Sequence, residues 1–166
     1  MSDISVIARH AVTVLAGQLA VMAFGVTDTI VAGRFSADAL AALSVASAVF
    51  VSVYVSLMGV LQALLPVWAE QHGRGETAAI GQSFRQSLYL AAAASVLGMG
   101  VLLFPEPLLR LTEVPDAMRE SVRDYLIIVG WALPSALFFR LYTTLNQALG
   151  RPQLVTWIQV GALVLK

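Results

Sequence analysis

From Ala41 to Ala69 no charged residue interrupts the chain, and that run constrains the fold more than any other feature. A helix rises about 1.5 Å per residue, so crossing a hydrocarbon core of ~30 Å takes about 20 apolar residues. The run exceeds that length. Three more segments reach it, giving spans at about residues 11–33, 41–69, 77–104 and 125–149. Their boundaries carry stop signals. Gly33-Arg34 and the polar link FSADA end the first, and EQHGRGE, with two glycines, closes the second as a tight helix–helix turn. PEP ends the third, and Gly150-Arg151-Pro152 ends the fourth, with Pro134 expected to kink it. The stretch 108–125 is mixed, with Pro115 placed to start a helix and Arg119, Glu120, Arg123 and Asp124 keeping its first turns in water.

Composition agrees with four spans. Of the 166 residues 58% are apolar and 12% charged, against roughly 45–50% and about 25% in a soluble domain. The chain therefore reads as an all-α, polytopic transmembrane helix bundle. Ten Lys and Arg balance ten Asp and Glu, so no basic field draws nucleic acid. The absence of cysteine removes disulfides, thiolate metal sites and Cys nucleophiles. His10 and His72 lie at segment ends with no metal-binding spacing around them, so neither a metal nor a cofactor is expected. No nucleophile elbow, P-loop or paired-carboxylate site occurs, and the chain does not read as an enzyme. Arg9 before AVTVLAG suggests a secretory signal, but the apolar run continues to Gly33, which is spanning length instead.

A fifth apolar run, residues 154–165, reaches only about 18 Å before Lys166. The expectation is a single domain over 1–166 with four complete spans and a truncated fifth, part of a longer protein. Orientation is weakly marked. With the N-terminus inside, Arg9, Arg74, Arg85 and Arg151 fall inside and Arg34, Arg110, Arg119 and Arg123 outside, which leaves the positive-inside rule undecided. The acids lean towards N-inside, with Asp38, Glu106, Glu113, Asp116, Glu120 and Asp124 outside.

Asp28, in AFGVTDTIVAGRFS, is the residue most at odds with lipid. An aspartate at a helix centre costs about 2.5–3.5 kcal/mol on insertion scales, so a partner or a watery cavity is expected. On a helical wheel Gln18 lies close enough in angle to look into the same cleft. Burial raises a carboxyl pKa, which suits a proton carrier. The plainer reading is a helix-end aspartate hydrogen-bonded by Thr27 or Thr29. Arg140, in FFRLYTTLNQALG, is the second intramembrane charge, some 9 Å deeper than Asp28 in a ~30 Å core. Either it lines the inner part of a cavity, or it snorkels to the headgroups beside Asn146 and Gln147. Ser47, Tyr54, Met58 and Gln62 form one semi-polar stripe on the second span, suited to a cavity for amphipathic cations or to helix packing. Ser52, Ser56 and Gly59 read as a close helix contact.

GQLAVMAFGVTDTIVAGRFSADALAALSV resembles the first span and following link of the multidrug and toxin extrusion (MATE) family. The likeness continues through ALLPVWAEQHGRGE and LLRLTEVPDAMRESVRDYLIIVGWALPSALFFRLYTTLNQALGRPQ. The resemblance implies twelve helices in two six-helix bundles, with this chain holding four helices and part of the fifth of the first bundle. It implies antiport of drugs or organic cations against protons or sodium, in the bacterial inner membrane, with Asp28 as the coupling carboxylate. Amphipathic cationic molecules, the lipid bilayer and a C-terminal bundle are the partners it implies. Much of the family has an Asn near the position of Lys166; a lysine there is expected to pair with Asp28 and to favour protons. Two alternatives stand beside this one: an exporter of lipid-linked saccharides of the same fold, and a truncated membrane module that does not transport.

Overall fold

The computed structural model describes residues 3–111 and 115–165. Its regular structure is entirely helical, in the order α1 (Asp3–Phe35), α2 (Ala37–Gln62), α3 (Leu64–Gly73), α4 (Thr77–Leu103), α5 (Glu106–Leu111), α6 (Asp116–Ala148) and α7 (Pro152–Leu165). Ser36 alone separates α1 from α2. Its backbone is extended, and its hydroxyl accepts the Ala39 N–H at 2.9 Å, satisfying one of the amides that a helix start leaves open. Asp38 in the first turn of α2 adds a favourable charge at the positive end of the helix.

The long run 41–69 is not one uninterrupted helix. It breaks at Ala63, and Pro66 supplies the reason: it has no N–H to donate to the Gln62 carbonyl, and its ring crowds that carbonyl. Together α2 and α3 still form one membrane-length unit, Ala37–Gly73. Leu15–Phe35, Thr77–Leu103 and Met118–Ala148 are the other three helical segments long and apolar enough to cross a bilayer. The chain is an all-α transmembrane bundle. At about 1.5 Å per residue, the 14 residues of α7 extend ~21 Å, short of a crossing.

Two turns take glycine in the left-handed region, Gly75 (φ 73°) after α3 and Gly150 (φ 67°) after α6. The mixed stretch before the fourth span resolves into the short α5 and the first turns of α6. Pro115, with φ −54°, precedes α6, and Arg119 pairs with Asp116 one turn along at 2.8 Å. The helix then runs unbroken through Pro134 to Ala148.

α6 sits at the centre of the packing, against α4 on one side and α2 on the other, while α1 makes its broadest contact with α7. Leu126, Leu133, Leu137 and Leu141 line the buried face of α6 and meet Leu61, Trp68 and Leu102. The Trp68 indole N–H donates to the Ser83 hydroxyl at 3.0 Å, so this bulky side chain is buried with its polar atom satisfied. At Gly98, a Cβ would run into the side chains of Leu133 and Leu57, so this glycine is what lets α4 close on both α6 and α2. Many large apolar side chains of α1 and α4, among them Val12, Leu15, Leu19 and Val96, face outward, as acyl chains require.

The small-residue stripe of α2 does not form the helix contact expected of it. Ser52 and Ser56 are exposed along an open groove of about 490 Å³ between α2 and α4, and nothing lies within 4 Å of a Cβ added at Gly59. Both serine hydroxyls instead donate back to carbonyls of their own helix, at 2.8 Å.

Candidate functional site

Asp28 opens into a cleft of about 710 Å³ between α1 and α2. Met22, Gly25, Val26, Thr29 and Ile30 line it from α1, and Leu43, Ser44, Ser47, Phe50 and Val51 from α2. Tyr125 of α6 joins them. The walls are mostly apolar, with one carboxylate and a few hydroxyls. The threonines beside Asp28 do not donate to it: Thr27 gives its hydroxyl proton to the Ala23 carbonyl at 2.8 Å, and Thr29 gives its own to Gly25 at 2.9 Å. Asp28 is exposed on this chain, so its carboxylate faces the cleft rather than a packed core.

Gln18 does not share this cleft. It borders a second, tighter cavity with Arg140, Thr143 and Gln147 of α6 and Val155, Thr156 and Gln159 of α7. The ten-position separation of Gln18 and Asp28 carries the two almost three helical turns apart, and that axial distance, not the angle on the wheel, separates them. Lys166, the expected partner of Asp28, lies outside the described residues.

Arg140 is held rather than snorkelling freely. One terminal nitrogen, Nη2, donates to the Gln62 amide oxygen of α2 at 2.7 Å, while Nε is buried and has no hydrogen-bond partner among the described residues. The Tyr54 hydroxyl lies within the field of the same guanidinium. Asn146 does not join them, since its amide donates to the Tyr142 carbonyl at 2.8 Å within its own helix. Of the four residues read as a substrate cavity, Tyr54, Gln62 and Arg140 are thus brought together; Met58 is half-buried on α2 between Tyr54 and Gln62.

Phe50, a wall of the Asp28 cleft, stacks on Tyr54 with centroids 5.8 Å apart and planes 11° from parallel. Ser44, Phe50 and Tyr125 escaped the sequence reading, as did Thr143, Thr156 and Gln159. A helical face on α6 could have signalled some of them, because Thr143 and Gln147 follow Arg140 at three and seven residues. Nothing local points to Gln159, which reaches the site only because Gly17 of α1 leaves room for its side chain.

Comparison with known proteins bears on this arrangement. The chain is 38% identical over 150 residues to a probable multidrug resistance protein NorM of Aromatoleum aromaticum, covering 90% of this chain and 32% of the relative. It is 28% identical over 167 residues to a probable multidrug resistance protein NorM of Neisseria meningitidis serogroup B, covering 99% and 36%. With the multidrug resistance protein MdtK of Pectobacterium atrosepticum it shares 35% identity over 133 residues, covering 79% and 29%. The chain spans about a third of the length of these curated relatives. No solved structure matches it. The MatE family model matches residues 14–166, which takes in both cavities and every described helix but the start of α1, and the chain therefore belongs to the MatE family.

Proposed function

We propose that this chain forms the N-terminal part of a secondary-active multidrug exporter of the bacterial inner membrane, which moves amphipathic organic cations outward against protons or sodium. The observation that carries the reading is Asp28, a carboxylate at a mostly apolar, transmembrane cleft of about 710 Å³, in a chain similar to proteins named for multidrug resistance. A single carboxylate in such a cleft serves two ligands in turn: it binds a proton or a sodium ion, and it attracts a cationic drug. Each ligand neutralises the charge that the other needs, which is the competition an antiporter requires. The aromatic faces of Phe50 and Tyr125 and the flexible thioether of Met22 suit flat, variable cations.

The test is efflux of ethidium from cells expressing the protein at its natural length, with Asp28→Asn beside the wild type. The expected result is energy-dependent efflux that Asp28→Asn abolishes. Sensitivity to a proton uncoupler assigns protons, and loss of efflux on replacing external sodium assigns sodium. Undiminished efflux by Asp28→Asn overturns the carboxylate's role.

A further inference from the structure

At the α5 end of the bundle two apolar grooves run side by side. One, of about 490 Å³, lies between α2 and α4, and the other, of about 550 Å³, lies between α4 and α5. Leu97, Val101 and Leu108 line both, so a single ridge separates them. Neither wall calls for a polar ligand. The second groove has no polar side chain, and the two in the first, Ser52 and Ser56, already donate to their own helix. In a bilayer such grooves fill with hydrocarbon, because apolar surface without neighbours forfeits its dispersion contacts. Two grooves about one ridge match the two chains of a glycerophospholipid.

The mouth of the second groove carries the charges that a lipid head needs. Pro107, on its wall, and Arg110 stand three residues apart on α5 and so share a face of that helix. Arg110 also lines a polar cavity of about 430 Å³ between α5 and the first turns of α6, with Arg119, Arg123, Glu106, Asp116 and Glu120. Four of these six charges are matched, Arg119 with Asp116 at 2.8 Å and Arg123 with Glu106 at 3.4 Å. Arg110 and Glu120 line the same cavity, yet neither forms an ion pair among the described residues. An unmatched cation and an unmatched anion above a paired apolar groove repeat the layout of a zwitterionic lipid. An apolar helix laid along the grooves would fill them as well, but would leave both charges unanswered.

We infer that this end of the bundle binds one lipid of the phosphatidylethanolamine type, its acyl chains on either side of the Leu97, Val101 and Leu108 ridge and its head over α5. The phosphate accepts from the Arg110 guanidinium, and the primary ammonium donates to the Glu120 carboxylate. Three cations and three anions surround the head, a balance that suits a zwitterion better than an anionic lipid. Bound in this way, the lipid spans α2, α4, α5 and the start of α6 and closes a gap that their side chains leave open. The lipid site does not depend on the transport reading, and its measurement involves no transport.

The protein at its natural length, purified in detergent, is titrated with phosphatidylethanolamine or with phosphatidylglycerol of the same acyl chains, and bound lipid is counted by native mass spectrometry. The expected result is one saturable phosphatidylethanolamine, bound more tightly than phosphatidylglycerol, and a thermal midpoint that rises with it, as mass action requires of a ligand bound by the folded state. Arg110→Gln, at an exposed position, weakens the apparent affinity about tenfold, the scale of one charge-assisted hydrogen bond. Gly100→Trp fills the second groove, where nothing lies within 4 Å of an added Cβ, and abolishes retention. Gly100→Ala, too small to fill the groove, keeps the lipid. Should Gly100→Trp not fold, Arg110→Gln decides alone. A wild type that takes up no lipid has its grooves covered by other helices, and that outcome overturns the inference. So does uptake equal in the wild type and Arg110→Gln, which marks lipid held without the head contact, or tighter binding of phosphatidylglycerol.

Discussion

The Nη2 of Arg140 donates to the Oε1 of Gln62 at 2.7 Å across 78 residues of sequence, tying the C-terminal third of α6 to the last residue of α2. Gln62 is also the residue where Pro66 interrupts the helix, so the break and the tether coincide. Removing the amide should leave a guanidinium short of a further partner. Gln62→Leu is expected to lower stability by about 1.5–3 kcal/mol, the usual scale for hydrogen bonds to charged groups. Gln62→Glu should restore or exceed wild-type stability by supplying a carboxylate. Thermal midpoints of both variants, and of Gln62→Leu combined with Arg140→Met, check this. Strict additivity in the double variant would show that the two side chains do not interact.

Gly98 and Gly100 stand two residues apart in α4 and should respond in opposite directions. An Ala methyl at Gly98 meets Leu133 and Leu57, whereas nothing lies within 4 Å of one at Gly100. Gly98→Ala is expected to destabilise by about 1–3 kcal/mol through overpacking. Gly100→Ala should be neutral or stabilising by up to ~1 kcal/mol, because alanine favours the helix. Equal effects of the two would disprove the close approach of α2, α4 and α6 at Gly98.

The Trp68 indole gives a third test. Ser83→Ala removes its 3.0 Å acceptor while the ring stays buried. Leaving the N–H unsatisfied should cost about 1–3 kcal/mol. Trp68→Phe in the Ser83→Ala background should recover part of that loss, since no donor is then left over. The measurement is the unfolding midpoint of the two variants side by side.

Because the chain has no cysteine, single cysteines can map the Asp28 cleft. Ser47→Cys, on its wall, should react with a small water-soluble thiol reagent roughly tenfold faster or more than Leu133→Cys, whose position is fully buried. A reagent carrying positive charge should outpace a negative one at Ser47→Cys, drawn by Asp28, and Asp28→Asn should cancel the preference. Equal rates at the two positions would mean that water does not reach the cleft.

The membrane spans were legible in the sequence because a bilayer imposes length and polarity at once, and few residue patterns satisfy both. Asp28 stood out for the same reason. The break at Ala63 was also written in the chain, at Pro66, but the apolar run across it concealed its effect. What sequence could not supply was depth and partnership. The pairing of Gln18 with Asp28 was drawn from angle alone, and nearly three turns of axial rise put Gln18 beside Arg140 instead. Gln62 and Arg140 were both singled out, yet their bond depends on how α2 meets α6, which no local pattern encodes. The same holds for Gln159, whose place against Gly17 arises only when α7 returns to α1.

That return of α7 to α1 has a cost in time. Ribosomes add about 5–20 residues per second, so the stretch between Phe35 and Pro152 takes on the order of ten seconds to make. Throughout that interval α1 lacks the helix against which it packs most broadly, and Asp28 must sit in the bilayer or at the translocon with α2 as its main shelter. The one-residue link at Ser36 supplies that shelter early, since α2 follows α1 immediately and closes the cleft wall within seconds. The hairpin that shapes the Asp28 cleft is therefore also the carboxylate's main cover while the rest of the chain is being made.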